Sequence, residues 1–299
     1  RDRDAALELG RALGQAVDIP RQRSRLPQTA LHILQGALPA QGIIGYKAYT
    51  SNRSGNRVLL HLFDAASGRL RAVIDSEYLG MIRTGAASGI AAKWLARPDA
   101  TVAGVFGSGW QAEGHVRAIC AALPLERVKV FSRNAEQLQA FCQRMSAVTG
   151  VAIEAAASAE ETVRGSDLLG TVTTAAQPLF DADWLEEGMH INAAGSNALI
   201  RQELSEAAIR RCSLLAVDAV PTALAEAGDL LPLLEKGRLH SRQLVELGDV
   251  IIGKQSGRQR VGDITLFESQ GMAIQDLAVG LRVLAAAEAA GLGQEIPMQ

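Results

Sequence analysis

Residues 101–120 read TVAGVFGSGWQAEGHVRAIC, and the folding of this stretch decides the rest. A short apolar run ends at Gly107, and from Trp110 onward apolar residues recur at helical spacing. Between them lies Gly107-x-Gly109-x-x-Ala112. Glycines at such a turn let the backbone bend sharply and approach a pyrophosphate, whose charge then rests on the helix N-terminus. Packing alone also produces such turns, so the context carries the reading. Residues 127–132, RVKVFS, form a second strand and complete the strand–turn–helix–strand unit. A helix follows over 134–150, capped by Asn134 and closed by Gly150. The alternation continues through VAIEAAA, SAEETVRG, DLLGTVTT, GMHINAAG, QELSEAAIRRC and SLLAVD. It predicts a parallel sheet covered on both faces, a Rossmann dinucleotide-binding domain over 93–267.

The flanks read differently. VDIPRQRSRL (17–26), LHILQGAL (31–38), GIIGYKAYT (42–50) and NRVLLHLFDAASGRLRAVID (56–75) are strand-like, with DAASGRL as a hairpin turn. A helix, GAASGIAAKWLA (85–96), leads into the parallel domain. The Ala-rich amphipathic helix within 270–293 is expected to leave that domain and pack on the N-terminal module. The fold class is therefore α/β: a Rossmann domain plus a discontinuous α+β domain, 1–92 with 268–299.

Composition narrows the function. A chain of 299 residues suggests about two domains. Its 48% hydrophobic content, 21% charged content and net charge of −2 describe an ordinary globular protein with no electrostatic pull toward nucleic acid. No apolar run approaches the roughly 20 residues of a membrane span. The first ten residues, RDRDAALELG, lack the apolar core of a secretory leader. Cys120, Cys142 and Cys212 have no metal-like spacing and read as small buried hydrophobes of a reducing, cytoplasmic setting. The five histidines are scattered, so no metal is expected.

The end of the second strand discriminates between nicotinamide cofactors. An Asp or Glu there would bond the ribose 2′-hydroxyl. This chain instead has Ser132, Arg133 and Asn134, and a guanidinium can clamp a 2′-phosphate. NADP(H) is the expected cofactor, with NAD(H) the alternative. For substrate, Lys47 emerges from an apolar strand, and snorkelling to the surface is the bland alternative. Arg83 stands just before a helix of small residues, and Arg21, Arg23 and Arg25 alternate along one strand face. Several cations near a cofactor suggest an anionic substrate, most simply a carboxylate. Asn197, just past the strand GMHINAAG, is either a helix cap or a group at the mouth of a parallel strand, where chemistry sits.

GYKAYT, IRTGAASGIAAKWLA, GSGWQA, HINAAGSNALIRQEL, AEAGDL, ELGDVIIG and FESQGMAIQDLA occur here in one order. Together they resemble the ornithine cyclodeaminase/μ-crystallin family over nearly the whole chain. That resemblance implies a dimer with an NAD(P)-binding Rossmann domain and a domain that binds substrate and pairs subunits. It implies that Lys47 and Arg83 bind the substrate carboxylate, with Arg21, or Arg23 two residues on, as the third cation. It also implies cofactor contacts from Arg83, Thr84, Gly107, Gly109, Trp110, Gln111, Ser132, Arg133, Asn134, Thr173, Ala194, Gly195, Ser196 and Arg201. Ser269 would approach the nicotinamide, and Gln270 the substrate.

Two departures from the family pattern matter. His32 stands where the ornithine-using enzyme has a glutamate, and Asn197 where it has its catalytic aspartate. Cyclodeamination shuttles protons and activates a nucleophile, so a carboxylate base is valuable there, and an amide accepts no proton near neutral pH. Reducing a ready-made cyclic imine demands less. The enzyme must anchor the carboxylate, hold the carbon about 3–3.5 Å from the hydride donor and exclude water. The sequence thus predicts an NAD(P)H-dependent reductase of cyclic ketimine carboxylates, giving L-proline or L-pipecolate. Lys47, Asn197 and His32 are its candidate catalytic groups, and His32 alone could donate a proton near neutral pH. The competing readings are an ornithine or lysine cyclodeaminase, an alanine-type dehydrogenase, and a non-catalytic NADPH- or ligand-binding protein.

Overall fold

The structure, a computed structural model, describes residues 16–52 and 55–297. The described chain divides into two compact units, 16–80 with 272–297, and 81–271.

The first unit is built on an antiparallel sheet in chain order: β1 (Val17–Arg25), β2 (Thr29–Leu38), β3 (Ile43–Asn52), β4 (Gly55–Asp64) and β5 (Leu70–Asp75). A bulge between Ile19 and Gln22 in β1 adds one residue against β2. Pairing of Arg23 with His32, His32 with Tyr49, and Leu34 with Lys47 fixes which side chains share a face. The hairpin expected at 64–70 joins β4 to β5.

α1 (Glu77–Leu95) begins eight residues before the helix expected at 85–96, so it includes Arg83 and Thr84. Gly80 and β-branched Ile82 and Thr84 are weak helix formers, yet this first part already carries the ladder bond from the Gly80 amide to the Ser76 carbonyl.

The second unit holds the parallel sheet: β6 (Val102–Phe106), β7 (Arg127–Phe131), β8 (Ala152–Ala155), β9 (Leu168–Thr171), β10 (His190–Ala193), β11 (Leu214–Val217), β12 (Leu244–Glu246) and β13 (Thr265–Glu268). Their spatial order is β12-β11-β13-β10-β9-β6-β7-β8, so the chain reverses direction across the sheet between β6 and β9. In open α/β sheets ligands bind outside the carboxyl ends of strands at such a reversal. The intervening helices are α2 (Trp110–Ala122), α3 (Ala135–Thr149), α4 (Ala159–Val163), α5 (Glu206–Arg210), α6 (Val220–Glu226), α7 (Leu231–Glu235) and α8 (Leu247–Ile251). Asn134 caps α3 through the Gln137 amide, and Gly150 closes it at φ 73°, as its sequence signals required.

α9 (Ala273–Ala289) returns to the antiparallel sheet, as expected. Close approach is what its fit depends on. A Cβ on Gly45 would lie 2.8 Å from Leu277 Cδ2 and 2.2 Å from the His61 carbonyl oxygen. The same face carries Arg23, His32, Tyr49 and Ser51 farther along the strands. No described helix is long and apolar enough to cross a membrane.

Candidate active site

The dinucleotide turn sits where the strand order reverses. Gly107 follows β6 at φ 110°, a conformation that side chains rarely adopt, and its amide bonds the Phe131 carbonyl at 2.9 Å. A Cβ there would meet the Val172 carbonyl oxygen at 3.1 Å and Thr173 Cγ2 at 3.4 Å, so Gly107 and Thr173 stand together at the ends of β6 and β9. Gly109 precedes α2 with no side-chain cap on the first-turn amides, and nothing lies within 4 Å of where its Cβ would be. Open space over uncapped amides fits a pyrophosphate. Trp110 and Gln111 open α2 and are exposed.

At the end of β7, Ser132 is half-buried and Arg133 exposed. Asn134, expected to contact cofactor, uses its side-chain oxygen to cap α3. On the neighbouring loops, Glu203 accepts from the Thr173 amide (2.6 Å), the Thr173 hydroxyl (2.7 Å) and the Gly195 amide (2.8 Å). One carboxylate therefore ties the loop after β9 to the loop after β10. Asp229, in the AEAGDL stretch, accepts from the amides of Glu203 and Leu204 at 2.8 and 3.0 Å. The Ser196 hydroxyl, buried, donates to Glu268. Burial raises the carboxyls of Glu203 and Asp229 and lifts Glu268 well above the usual range, where nearby Asp229 adds repulsion.

Asn197 is not a helix cap. The chain from 194 to 204 forms a loop with one turn, and the next helix, α5, is capped by Ser205 through the Ala208 amide. Polar small residues after a strand suggested a cap, but the loop instead runs beside Ala176 by pairing at Gln202. Asn197 is half-buried and makes no side-chain hydrogen bond among the described residues, as does its loop neighbour Arg201.

Arg83 is buried on α1, and Thr84 beside it is half-buried. Gly271 lies against the Arg83 guanidinium: a Cβ there would be 2.4 Å from Nη1, and its φ is 79°. The turn before it is held by Asp218, whose Oδ2 accepts from the Ser269 hydroxyl (2.8 Å), the Gln270 amide (2.8 Å) and the Gly271 amide (2.7 Å). The Gln270 side chain donates to Glu268 at 3.1 Å.

In the antiparallel unit, Arg21, Arg23, Arg25, His32 and Lys47 share one face of the sheet. Lys47 does not snorkel. Its Nζ lies 2.6 Å from Asp276 Oδ2 on α9, and both side chains are buried. His32 stacks on Tyr49 with ring centroids 4.3 Å apart, and its Nε2 meets the Ser51 hydroxyl at 3.0 Å. Burial first, then Arg23, Arg21 and Arg25, push its pKa down to about 4. That shift favours the neutral imidazole, a hydrogen-bonding group, near neutral pH. Burial is the larger cause, and the three arginines add to it.

The sequence model of the ornithine cyclodeaminase/mu-crystallin family matches residues 13–290. The chain belongs to this family. It is 35% identical over 239 residues to a Delta(1)-pyrroline-2-carboxylate reductase of Bacillus cereus, covering 80% of this chain and 73% of that one. Among solved structures, the Thermococcus litoralis Delta(1)-pyrroline-2-carboxylate reductase in complex with NADH and L-proline has a TM-score of 0.91 at 28% identity, covering 98% of this chain and 94% of that one. An archaeal alanine dehydrogenase dimer with bound NAD gives 0.92 at 31% identity, covering 99% and 94%.

The sequence reading named candidate cations and glycines but not the buried carboxylates among them: Asp218, Glu203, Asp229, Glu268 and Asp276. A signal existed for three. Asp218 and Glu268 directly end the apolar runs LLAV and TLF, and Asp276 sits between Ile274 and Leu277 on the apolar side of α9. A charge at such a position is buried only where partners hold it.

Proposed function

We propose that this chain is an NAD(P)H-dependent reductase of cyclic ketimine carboxylates, converting Δ1-pyrroline-2-carboxylate to L-proline and Δ1-piperideine-2-carboxylate to L-pipecolate. The observation that carries this reading is Asn197, an amide at the mouth of β10 with no cap to make, where a cyclodeaminase has its aspartate. His32, neutral and held by Ser51 and Tyr49, reinforces it. Neither group can act as a carboxylate base, and imine reduction needs none. The nitrogen of an iminium already carries its proton, so hydride addition completes the conversion of C=N to CH–NH as the nicotinamide is oxidised. A nicotinamide cofactor, when bound, supplies that hydride.

Arg21, Lys47 and Arg83 serve as ligands of the substrate carboxylate, with Arg23 in reserve for Arg21. Asp276 aims the Lys47 ammonium and holds it in place. His32 and Asn197 shape the nitrogen side by hydrogen bonding, and Gln270 lines the substrate. The amides after Gly107 and Gly109, with Trp110 and Gln111, take the pyrophosphate. Ser132 and Arg133 take the ribose 2′-phosphate, which makes NADP(H) the preferred cofactor and NAD(H) the weaker one. Thr173, Ala194, Gly195, Arg201 and Ser269 complete the cofactor contacts, and Ser196 supports them from beneath through Glu268.

A homodimer belongs to the same reading. Val17, Ile19, Leu31, Ile44, Leu59 and Val73 all fall on the antiparallel sheet face opposite α9, each 37–51% exposed. A contiguous apolar face of this kind marks an interface, and the archaeal relative is a dimer with bound NAD. The three cysteines are unbridged, in keeping with a cytoplasmic enzyme. The test is NADPH and NADH oxidation with pyrroline, piperideine and pyruvate-plus-ammonia substrates in parallel. Turnover of either imine with release of the L-amino acid supports the proposal; turnover of pyruvate and ammonia alone assigns an alanine-type dehydrogenase instead.

A further inference from the structure

The parallel sheet places Asp218 beside the turn that carries the last of the site residues. β11 and β13 run parallel with Val217 opposite Glu268, so the next residues along, Asp218 and Ser269, leave the sheet side by side. Asp218 is buried, and three donors from consecutive residues converge on its Oδ2 at 2.7–2.8 Å: the Ser269 hydroxyl and the amides of Gln270 and Gly271. A carboxylate oxygen suits three donors, because each hydrogen bond to a charged acceptor is stronger than one to a neutral one. This turn ends at Gly271, whose backbone lies against the Arg83 guanidinium. α1 holds the other end of the Arg83 side chain.

We propose that Asp218 is a positioning residue for substrate binding: by fixing the 269–271 turn it sets where the Arg83 guanidinium stands. The inference rests on the proposed role of Arg83 as a ligand of the imine carboxylate. Asp218 touches neither substrate nor cofactor in this account; it acts through the turn and the arginine. Asparagine is the informative substitution. Its single neutral oxygen cannot hold all three donors as strongly, and its NH2 group presents hydrogens to them when turned the other way. The turn loosens, and the guanidinium loses its wall.

The experiment compares wild type, Asp218→Asn, Arg83→Lys and the double variant with pyrroline-2-carboxylate as substrate, alongside NADPH binding by nicotinamide fluorescence. Hydrogen exchange at the Gln270 and Gly271 amides is followed in wild type and Asp218→Asn. Misplacement of a positioning group by about 1 Å can cost up to ~100-fold, and Asp218→Asn is expected to lower kcat/KM at least ~10-fold, mainly through KM. Its NADPH dissociation constant should rise by less than the imine KM does, since Ser269 is one cofactor contact among several, and the two amides should exchange faster. In the Arg83→Lys background the same substitution should add little, since the residue acts through that guanidinium. Equal losses in both backgrounds, an equal loss of NADPH affinity, or loosened amides with unchanged imine KM would each overturn the proposal. Wild-type protein that reduces no imine sinks the functional reading instead; amides protected equally in wild type and Asp218→Asn then still overturn the role given to Asp218.

Discussion

Lys47→Met separates the two jobs of the Lys47–Asp276 pair. The Nζ–Oδ2 distance is 2.6 Å, with the side chains 5% and 0% exposed. At an effective dielectric of about 20, two unit charges at that distance attract by roughly 6 kcal/mol, and desolvation of both ions offsets most of this. Removing one partner of a buried pair typically costs about 3–5 kcal/mol, because the remaining charge stays buried without it. At about 2–4 °C per kcal/mol for a domain of ordinary size, Lys47→Met should lower Tm by about 6–20 °C. Lys47→Met/Asp276→Leu removes both charges, and apolar replacement of a whole buried pair is often neutral. The double variant should therefore recover most of the lost Tm while imine reduction stays as poor as in the single variant. Thermal unfolding by circular dichroism and steady-state kinetics on the same preparations decide it. A single variant destabilised by less than about 1 kcal/mol, or a double variant no more stable than the single, refutes the ion-pair reasoning. A double variant that regains imine reduction removes Lys47 from substrate binding.

His32→Asn addresses the neutral imidazole. With a folded pKa of about 4 against the ordinary 6.5, the His32 contribution to stability is complete above pH 6.5 and is lost as pH falls toward 4. The variant should flatten that part of the stability profile and leave no missing limb near pH 6.5 in kcat/KM; disappearance of a wild-type limb there would mean that His32 carries a proton in the reaction. Arg133→Ala should shift the ratio of NADPH to NADH efficiency toward NADH by about 10-fold or more, the value of roughly one charged hydrogen bond, and an unchanged ratio rejects the 2′-phosphate assignment. Ile44→Glu, on the apolar sheet face, should convert a dimer to monomer in sedimentation at micromolar concentration; a wild-type monomer, or a variant that stays dimeric, contradicts that interface.

Much of the fold was legible because local and global signals agree. The glycine turn, the Asn134 and Gly150 caps and the Ala-rich last helix each have a short-range cause, and the structure contains each of them. α1 starts eight residues before its small-residue stretch, running through the weak helix formers Gly80, Ile82 and Thr84, where packing outweighs propensity. Of the candidate site, the sequence offered the cations and the two departures, His32 and Asn197. The supports were not legible. Asp276 lies 229 residues from Lys47, and Glu203 lies 30 residues from Thr173. Such pairings have no sequence period. The lowered pKa of His32 is likewise not legible, because burial, its main cause, is set only by the folded sheet.

The central claim is that an amide at position 197 and a neutral histidine at position 32 leave this family member able to reduce an imine but not to cyclise a diamino acid. One paired measurement tests it most directly: NADPH oxidation with Δ1-pyrroline-2-carboxylate, and ammonia release from L-ornithine with NAD(P)+, on one enzyme preparation. The account predicts imine reduction to L-proline and no ammonia from ornithine. Ammonia release from ornithine without imine reduction would contradict it.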